Sequence, residues 1–125
     1  MKYLGVDFGL RRLGFAVSEG QLSAPLNSVI VKGFKDAVEK VVQLTKMENF
    51  NKIIVGLPEG KMGKTVLGFI NALKKQGLDV EAGDETLSTK RAQEEMVNMG
   101  IPMEKRRMND STAAAIILQN WLDNR

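Results

Sequence analysis

Three acidic side chains stand where carboxylates could do chemistry. Asp7 interrupts the apolar run KYLGVDF, while Glu85, with Asp84 beside it, follows the strand-like stretch LDVEAG. Asp110 stands directly before the apolar segment STAAAIILQNWL. An aspartate between valine and phenylalanine in a buried strand is disfavoured by strand propensity and by burial. We therefore predict that Asp7 has a functional role.

The other two acids also have simpler structural explanations. Asp110 can be the N-cap of the following helix, and Glu85 can cap a helix or face solvent. If all three carboxylates converge, their mutual repulsion requires a cation nearby. Hard carboxylate oxygens suit Mg²⁺ or Mn²⁺, so convergence would predict a divalent metal site.

The apolar patterning predicts the elements that would position these acids. Strands are predicted at 2–7, 12–18, 26–32, 52–56 and 78–85. Four helices are predicted: one from Phe34 to near Asn49, one with Val66, Phe69, Ile70 and Leu73 on its buried face that Gly77 ends, one at 88–99 and one at 111–122. This order predicts an α/β fold: a mixed five-stranded sheet, with three antiparallel strands followed by parallel ones, and helices on both faces. Glu85 would then lie at the carboxyl end of a parallel strand, where chemistry is usual in such sheets.

Composition limits the class of protein. The chain has 125 residues, of which 43% are hydrophobic and 26% charged, and these values predict a single soluble domain over residues 1–125. It has no cysteine, and its N-terminus has no long apolar stretch after the basic residue. Disulfides, a signal peptide and a membrane span are therefore not predicted, and the cytoplasm is the expected compartment. The net charge of +3 is compatible with a nucleic-acid partner but does not require one.

Four motifs together resemble a known family. The segments GVDFGLRRLGFAVS, IIVGLPEGKMG, DETLST and DSTAAAIILQNWL, in this order and spacing, resemble the YqgF (RuvX) family of small bacterial RNase H-like nucleases. The resemblance implies an RNase H-like fold and a metal-dependent nuclease that processes the 5′ end of pre-16S ribosomal RNA in ribosome biogenesis. An older label describes the family as a candidate Holliday junction resolvase. By motif matching, Asp7, Glu85 and Asp110 take the places of the family's catalytic and metal-binding acids.

The residue types agree with phosphodiester hydrolysis. The chain has no histidine, which excludes a histidine general base. Two carboxylate-held cations could instead activate water and stabilise the leaving oxygen, with Asp7 the best candidate to bridge them. Gly5, Gly9 and Gly14 would allow a tight hairpin and the close approach of a nucleic-acid backbone.

Two basic clusters are candidates for binding the substrate. Arg11 and Arg12 follow Asp7 closely enough to contact a phosphate, and Arg12 matches an arginine of the family. Lys105, Arg106 and Arg107 precede Asp110 and would bind a phosphate backbone if that acid lies at the metals. The alternative for each cluster is a solvated turn or loop.

The chain departs from the family pattern in places that bear on the alternatives. Thr86 replaces the arginine of the family's DER motif, so the basic side chain that could contact a phosphate there is absent. Ala113 stands where resolvases of the RuvC type have a second acid, which weakens the resolvase interpretation. A non-catalytic RNA-binding module is disfavoured because three acids beside phosphate would oppose binding. The segment GLPEGKMGKT lacks the glycine spacing of a phosphate-binding P-loop, and the chain is too short for the second domain of a sugar-kinase-like ATPase.

Overall fold

The structure, a computed structural model, describes residues 1–84, 100 and 110–125, with only the backbone of Asp110. Glu85, the predicted helix at 88–99 and the cluster Lys105, Arg106 and Arg107 lie outside the described residues. Among the described helices, none has the length and apolar character needed to cross a membrane.

The described residues form one mixed sheet. Its strands are β1 (Tyr3–Phe8), β2 (Arg12–Ser18), β3 (Ser23–Pro25), β4 (Val29–Ile30), β5 (Lys52–Leu57) and β6 (Val80–Asp84). The spatial order is β3-β2-β1-β5-β6, and β4 also pairs with β2. β2 is antiparallel to β1, β3 and β4, whereas β1, β5 and β6 are parallel to one another. The predicted mixed sheet is confirmed.

The third strand differs from its prediction as one run over 26–32. Pro25 pairs with Ala16, and Val29 pairs with Leu13. Between these two pairs the outer segment therefore contains one residue more than the facing part of β2. The extra residue interrupts the ladder as a β-bulge does and divides the predicted strand into β3 and β4. The described sheet therefore has six strands rather than five.

Helices cover both faces of the sheet, as predicted. Helices α1 (Phe34–Glu48) and α2 (Lys61–Lys75) pack on one face, and α3 (Asp110–Asp123) packs on the other. Helix α1 ends at Asn49, whose φ of 57° is left-handed, and Gly77 with φ of 85° turns the chain after α2. Both positions agree with the predicted ends.

The alternation of side chains along β1 decides which face each residue serves. Leu4, Val6 and Phe8 belong to the core under α1 and α2, whereas Tyr3 belongs to the core under α3. Because successive side chains of a strand point to opposite faces, Asp7 lies on the α3 face.

Candidate active site

Asp7 lies in β1, the central strand of the sheet, one residue before the end of that strand. β1 is hydrogen-bonded to β2 on one side and to β5 on the other, and Asp7 pairs with Gly14 of β2. The Asp7 residue is half-buried. Because β1, β5 and β6 are parallel, their last residues Phe8, Leu57 and Asp84 lie at the same edge, which we call the carboxyl edge. Asp7 is thus a partly shielded carboxylate at the edge where α/β sheets usually bind ligands.

Helix α3 runs antiparallel to β1 over this face. The rings of Tyr3 and Trp121 are 5.4 Å apart, which places the end of α3 over the start of β1. A Cβ on Gly5 would lie 2.8 Å from the Cβ of Leu118 and 2.9 Å from the carbonyl oxygen of Ala114. The first turn of α3, which begins at Asp110, therefore lies farther along β1, toward Asp7. By this direction of α3, the backbone of Asp110 lies on the side of Ala114 that is nearer the carboxyl edge.

The interpretation of Gly5 as a point of approach for nucleic acid is wrong in its cause, whereas the tight turn predicted at Gly9 agrees with the structure. The sequence predicts that Gly5 admits a nucleic-acid backbone, but helix α3 occupies that space. Gly9 is needed by the turn itself, because a Cβ there would lie 2.8 Å from the carbonyl oxygen of Arg12. A glycine inside a strand can indicate close approach of another element, and at Gly5 that element belongs to the same chain.

A buried glutamine, Gln119, fixes α3 to the outer strand β3. Gln119 accepts a hydrogen bond from the backbone N–H of Ser23 at 2.9 Å and donates one to the carbonyl of Gln21 at 3.0 Å. The hydroxyl of Ser23 donates to the carbonyl of Ala115 at 2.6 Å. These bonds hold α3 against β3. No pattern in the sequence indicates them, because the partners are more than 90 residues apart.

A second group of contacts holds the far end of α3. Lys52 donates to the Glu81 carboxylate at 3.0 Å, and its ammonium lies 5.7 Å from the centre of the Trp121 ring. The hydrogen bond from Lys52, opposed by desolvation and supported by one from Trp121, lowers the pKa of Glu81. The hydrogen bond with Glu81 raises the pKa of Lys52. Together these contacts and those of Gln119 set the position of α3 along β1.

The two arginines that follow Asp7 lie on the hairpin turn at the carboxyl edge. Arg12 is the first residue of β2 and pairs with Ile30, and the carbonyl of Arg11 accepts the N–H of Val31 at 2.9 Å. Both arginines are exposed. Their position allows contact with a phosphate that approaches Asp7.

Asp7 is the one predicted metal ligand whose side chain the structure describes, and its chemistry suits a hard cation. Asp7 supplies carboxylate oxygens, the ligands that Mg²⁺ and Mn²⁺ prefer. The described residues contain no group of three or more His, Cys, Asp or Glu side chains placed to hold a metal. Of the three predicted ligands, Glu85 and the side chain of Asp110 are outside this description.

The sequence matches a family over nearly its whole length. The model of the RuvX family, described as Holliday junction resolvase, matches residues 1–124. A relative from Syntrophus aciditrophicus named "Putative pre-16S rRNA nuclease" is 35% identical over 133 residues, covering 98% of this chain and 89% of the relative. A relative of the same name from Clostridioides difficile is 33% identical over 132 residues, covering 98% of this chain and 94% of the relative.

Solved structures share the fold. Thermus thermophilus RuvC superposes with a TM-score of 0.69 at 17% identity, covering 100% of this chain and 96% of that one. The Fowlpox virus resolvase in complex with Holliday junction DNA gives 0.65 at 12% identity, covering 99% and 98%. These superpositions show a common RNase H-like fold. With the family match and the nuclease names of its relatives, they show that the chain belongs to the RuvX family and is a hydrolase of ester bonds in nucleic acid.

Proposed function

We propose that Asp7, Glu85 and Asp110 form a metal-dependent nuclease centre at the carboxyl edge of the sheet. The observation that carries the proposal is the position of Asp7, a half-buried carboxylate in an apolar central strand, on the face where helix α3 begins. A carboxylate at such a position is costly unless a partner or a cation compensates its charge.

The three carboxylates would hold Mg²⁺ or Mn²⁺, and Asp7 is our candidate for a ligand that two ions would share. Bound cations of this kind activate the attacking water and stabilise the leaving oxygen. Arg11 and Arg12, on the turn after β1, would bind a non-bridging phosphate oxygen and orient the scissile bond. Lys105, Arg106 and Arg107 would bind further phosphates along the backbone of the substrate.

The substrate we propose is the 5′ end of pre-16S ribosomal RNA, processed in the cytoplasm during ribosome biogenesis. The names of the curated relatives support this assignment. The description of the family model favours a second candidate, resolution of DNA junctions. Ala113 disfavours that candidate, since it leaves this chain without a second acid one turn into α3.

The metal centre is tested by an isosteric change. Asp7→Asn keeps the size of the side chain but removes its charge, so the variant is expected to fold while Mg²⁺- or Mn²⁺-dependent cleavage falls to background. Asp79→Asn is the matched control, because Asp79 is exposed and precedes β6 at the opposite edge of the sheet. Full activity in purified Asp7→Asn would overturn the proposed centre.

The substrate is tested by direct competition. A pre-16S fragment, an unrelated single-stranded RNA and a four-way DNA junction are each incubated with the wild-type protein and Mg²⁺ or Mn²⁺. Faster, position-specific cleavage of the ribosomal fragment is expected. Preferential cleavage of the junction would replace the ribosomal assignment by the resolvase one.

A further inference from the structure

An exposed aromatic ring lies beside the carboxyl edge. Phe34, the first residue of α1, is 39% exposed although it contacts the core. Its ring lies 6.2 Å from that of Phe8 and 6.1 Å from that of Phe69, at steep angles of 68° and 83°. Phe8 directly follows Asp7 in β1, so these contacts hold the Phe34 ring near the end of β1.

The segment before Phe34 is tied to the hairpin turn that carries the arginines. The Val31 N–H bonds the carbonyl of Arg11, and Ile30 pairs with Arg12. Gly33 has a φ of 147°, a region that favours glycine, and its carbonyl accepts the N–H of Ala37 at 3.0 Å to begin the helix. The ring is therefore held in a fixed place relative to the turn.

The surface around the ring has the character of a single-strand binding surface. Leu10, in the turn between β1 and β2, is 55% exposed, so apolar area accompanies Phe34 at this edge. Exposed Arg11 and Lys35 supply positive charge beside it. Aromatic rings next to cationic groups bind single strands by stacking on bases while the cations hold the phosphates.

We propose that Phe34 is the platform on which an unpaired base of the substrate stacks where the strand passes around the carboxyl edge, from the α3 face that carries Asp7 to the face covered by α1. The enzyme would then favour single-stranded nucleic acid on that side of the scissile phosphate. This inference rests on the nuclease function proposed above. A base inside a duplex is covered on both faces by its stacked neighbours, so Phe34 contributes to single strands and not to the interior of duplexes. It is a specificity-determining residue that does not touch the reacting atoms.

The test measures binding in the Asp7→Asn background, which keeps the oligonucleotide intact, by fluorescence anisotropy with Mg²⁺. Phe34→Leu is expected to bind a single-stranded RNA about tenfold more weakly, and Phe34→Trp to retain or improve the affinity. Affinity for an abasic strand of the same length, and for a long duplex in which stacked neighbours cover nearly all bases, is expected to stay unchanged in both variants. Base stacking on the added indole is expected to quench its fluorescence with the RNA and not with the abasic strand.

Two controls separate stacking from folding. Leu22→Ala removes a side chain that is 79% exposed and lies outside this surface, and its affinity is expected to equal that of the parent. Thermal unfolding of every variant monitors the packing of residue 34 against Phe8 and Phe69. Equal affinity of the parent and Phe34→Leu for single strands, or equal weakening toward the abasic strand, would overturn the stacking proposal.

The two proposals fail in different ways. If the wild-type protein cleaves RNA but Phe34→Leu binds and cleaves as it does, only the stacking role is lost. If the wild-type protein neither binds nor cleaves any nucleic acid, the proposed function is lost and the stacking role with it.

Discussion

Gly5 shows how one residue without a side chain can set the geometry of the candidate site. Gly5→Ala would place a Cβ 2.8 Å from Leu118 and 2.9 Å from the Ala114 carbonyl, closer than real contacts allow. Helix α3 would have to move away from β1. We expect a loss of about 1–3 kcal/mol in the free energy of unfolding, together with reduced cleavage, because Asp110 moves with the helix.

The control is a glycine whose added methyl group has room. At Gly68, in α2, the nearest atoms to a new Cβ are 3.9 and 4.0 Å away, in the Phe34 ring. Gly68→Ala should therefore stabilise the protein by about 0.5–1 kcal/mol through helix propensity. Urea unfolding measures both variants; a Gly5→Ala protein as stable as wild type would contradict the close packing of α3.

The charges of Glu81 and Lys52 give a pH-dependent test. The pKa of Glu81 is lowered by its hydrogen bond with Lys52, so its contribution to stability is full above the ordinary glutamate pKa and is lost as the pH falls through the lowered value. The pKa of Lys52 is raised, so its contribution is full below the ordinary lysine pKa and is lost as the pH rises through the raised value. The pair therefore stabilises the fold between these two limits.

Glu81→Gln removes the charge on one side. The difference in unfolding free energy between wild type and Glu81→Gln is expected to be small, because both side chains remain partly exposed to solvent, and to shrink from about pH 7 to about pH 3. Urea unfolding at both pH values measures it. A difference that grows at acid pH would show that the sign of the Glu81 shift is wrong.

At the scale of elements, α3 also keeps the outer strand β3 from pairing with a strand of another molecule. The N–H of Leu26 donates to the carbonyl of Phe15 in β2. Because backbone groups along a strand alternate in direction, the backbone nitrogens of Pro25 and Ser23 face away from β2. Pro25 has no N–H, and the N–H of Ser23 is bonded to Gln119. Within the described part of the chain, the outer edge of β3 thus offers no N–H group for pairing with another strand.

Gln119→Met tests this double role. Methionine fills a similar volume but leaves the Ser23 N–H and the Gln21 carbonyl without the partner they have now, so we expect a loss of about 1–3 kcal/mol in stability. Gln43→Met, at an exposed position of α1, makes the same exchange and should have little effect. Equal unfolding midpoints in the two variants would remove Gln119 as the anchor of α3.

At the scale of the whole molecule, the question is which charges the substrate meets. The net charge of +3 is modest, so the position of the cations matters more than their number. If Arg106 and Arg107 bind phosphate, replacing both by alanine should flatten the plot of log affinity against log salt, by about 0.7 on single strands for each phosphate that is no longer neutralised. Sequence preference should stay unchanged.

Lys74 and Lys75 provide the matched control for that experiment. They are exposed in the last turn of α2, so their replacement by alanine removes the same charge from another place. The control variant is expected to keep the slope of wild type. If both double variants flatten the slope equally, only net charge matters, and the proposed phosphate binding by Arg106 and Arg107 is contradicted.

The sequence alone determined the elements and the residue that stands out among them. Apolar spacing predicted the helix that ends at Asn49, the buried face of α2 and the strands β1, β2, β5 and β6. Asp7 stands out because a carboxylate conflicts with an apolar strand. These inferences are local, since propensity and periodicity depend on neighbours within a turn or two of the chain.

The tertiary structure decided what lies against each element. Periodicity predicts that a face is buried but not what covers it, so the contact of Gly5 with Leu118 could not be foreseen. The division of the third strand depends on its register with β2, and the anchoring of Ser23 by Gln119 joins residues 96 positions apart. Register and long-range hydrogen bonds are settled only when distant segments pack together, because no local preference distinguishes their partners.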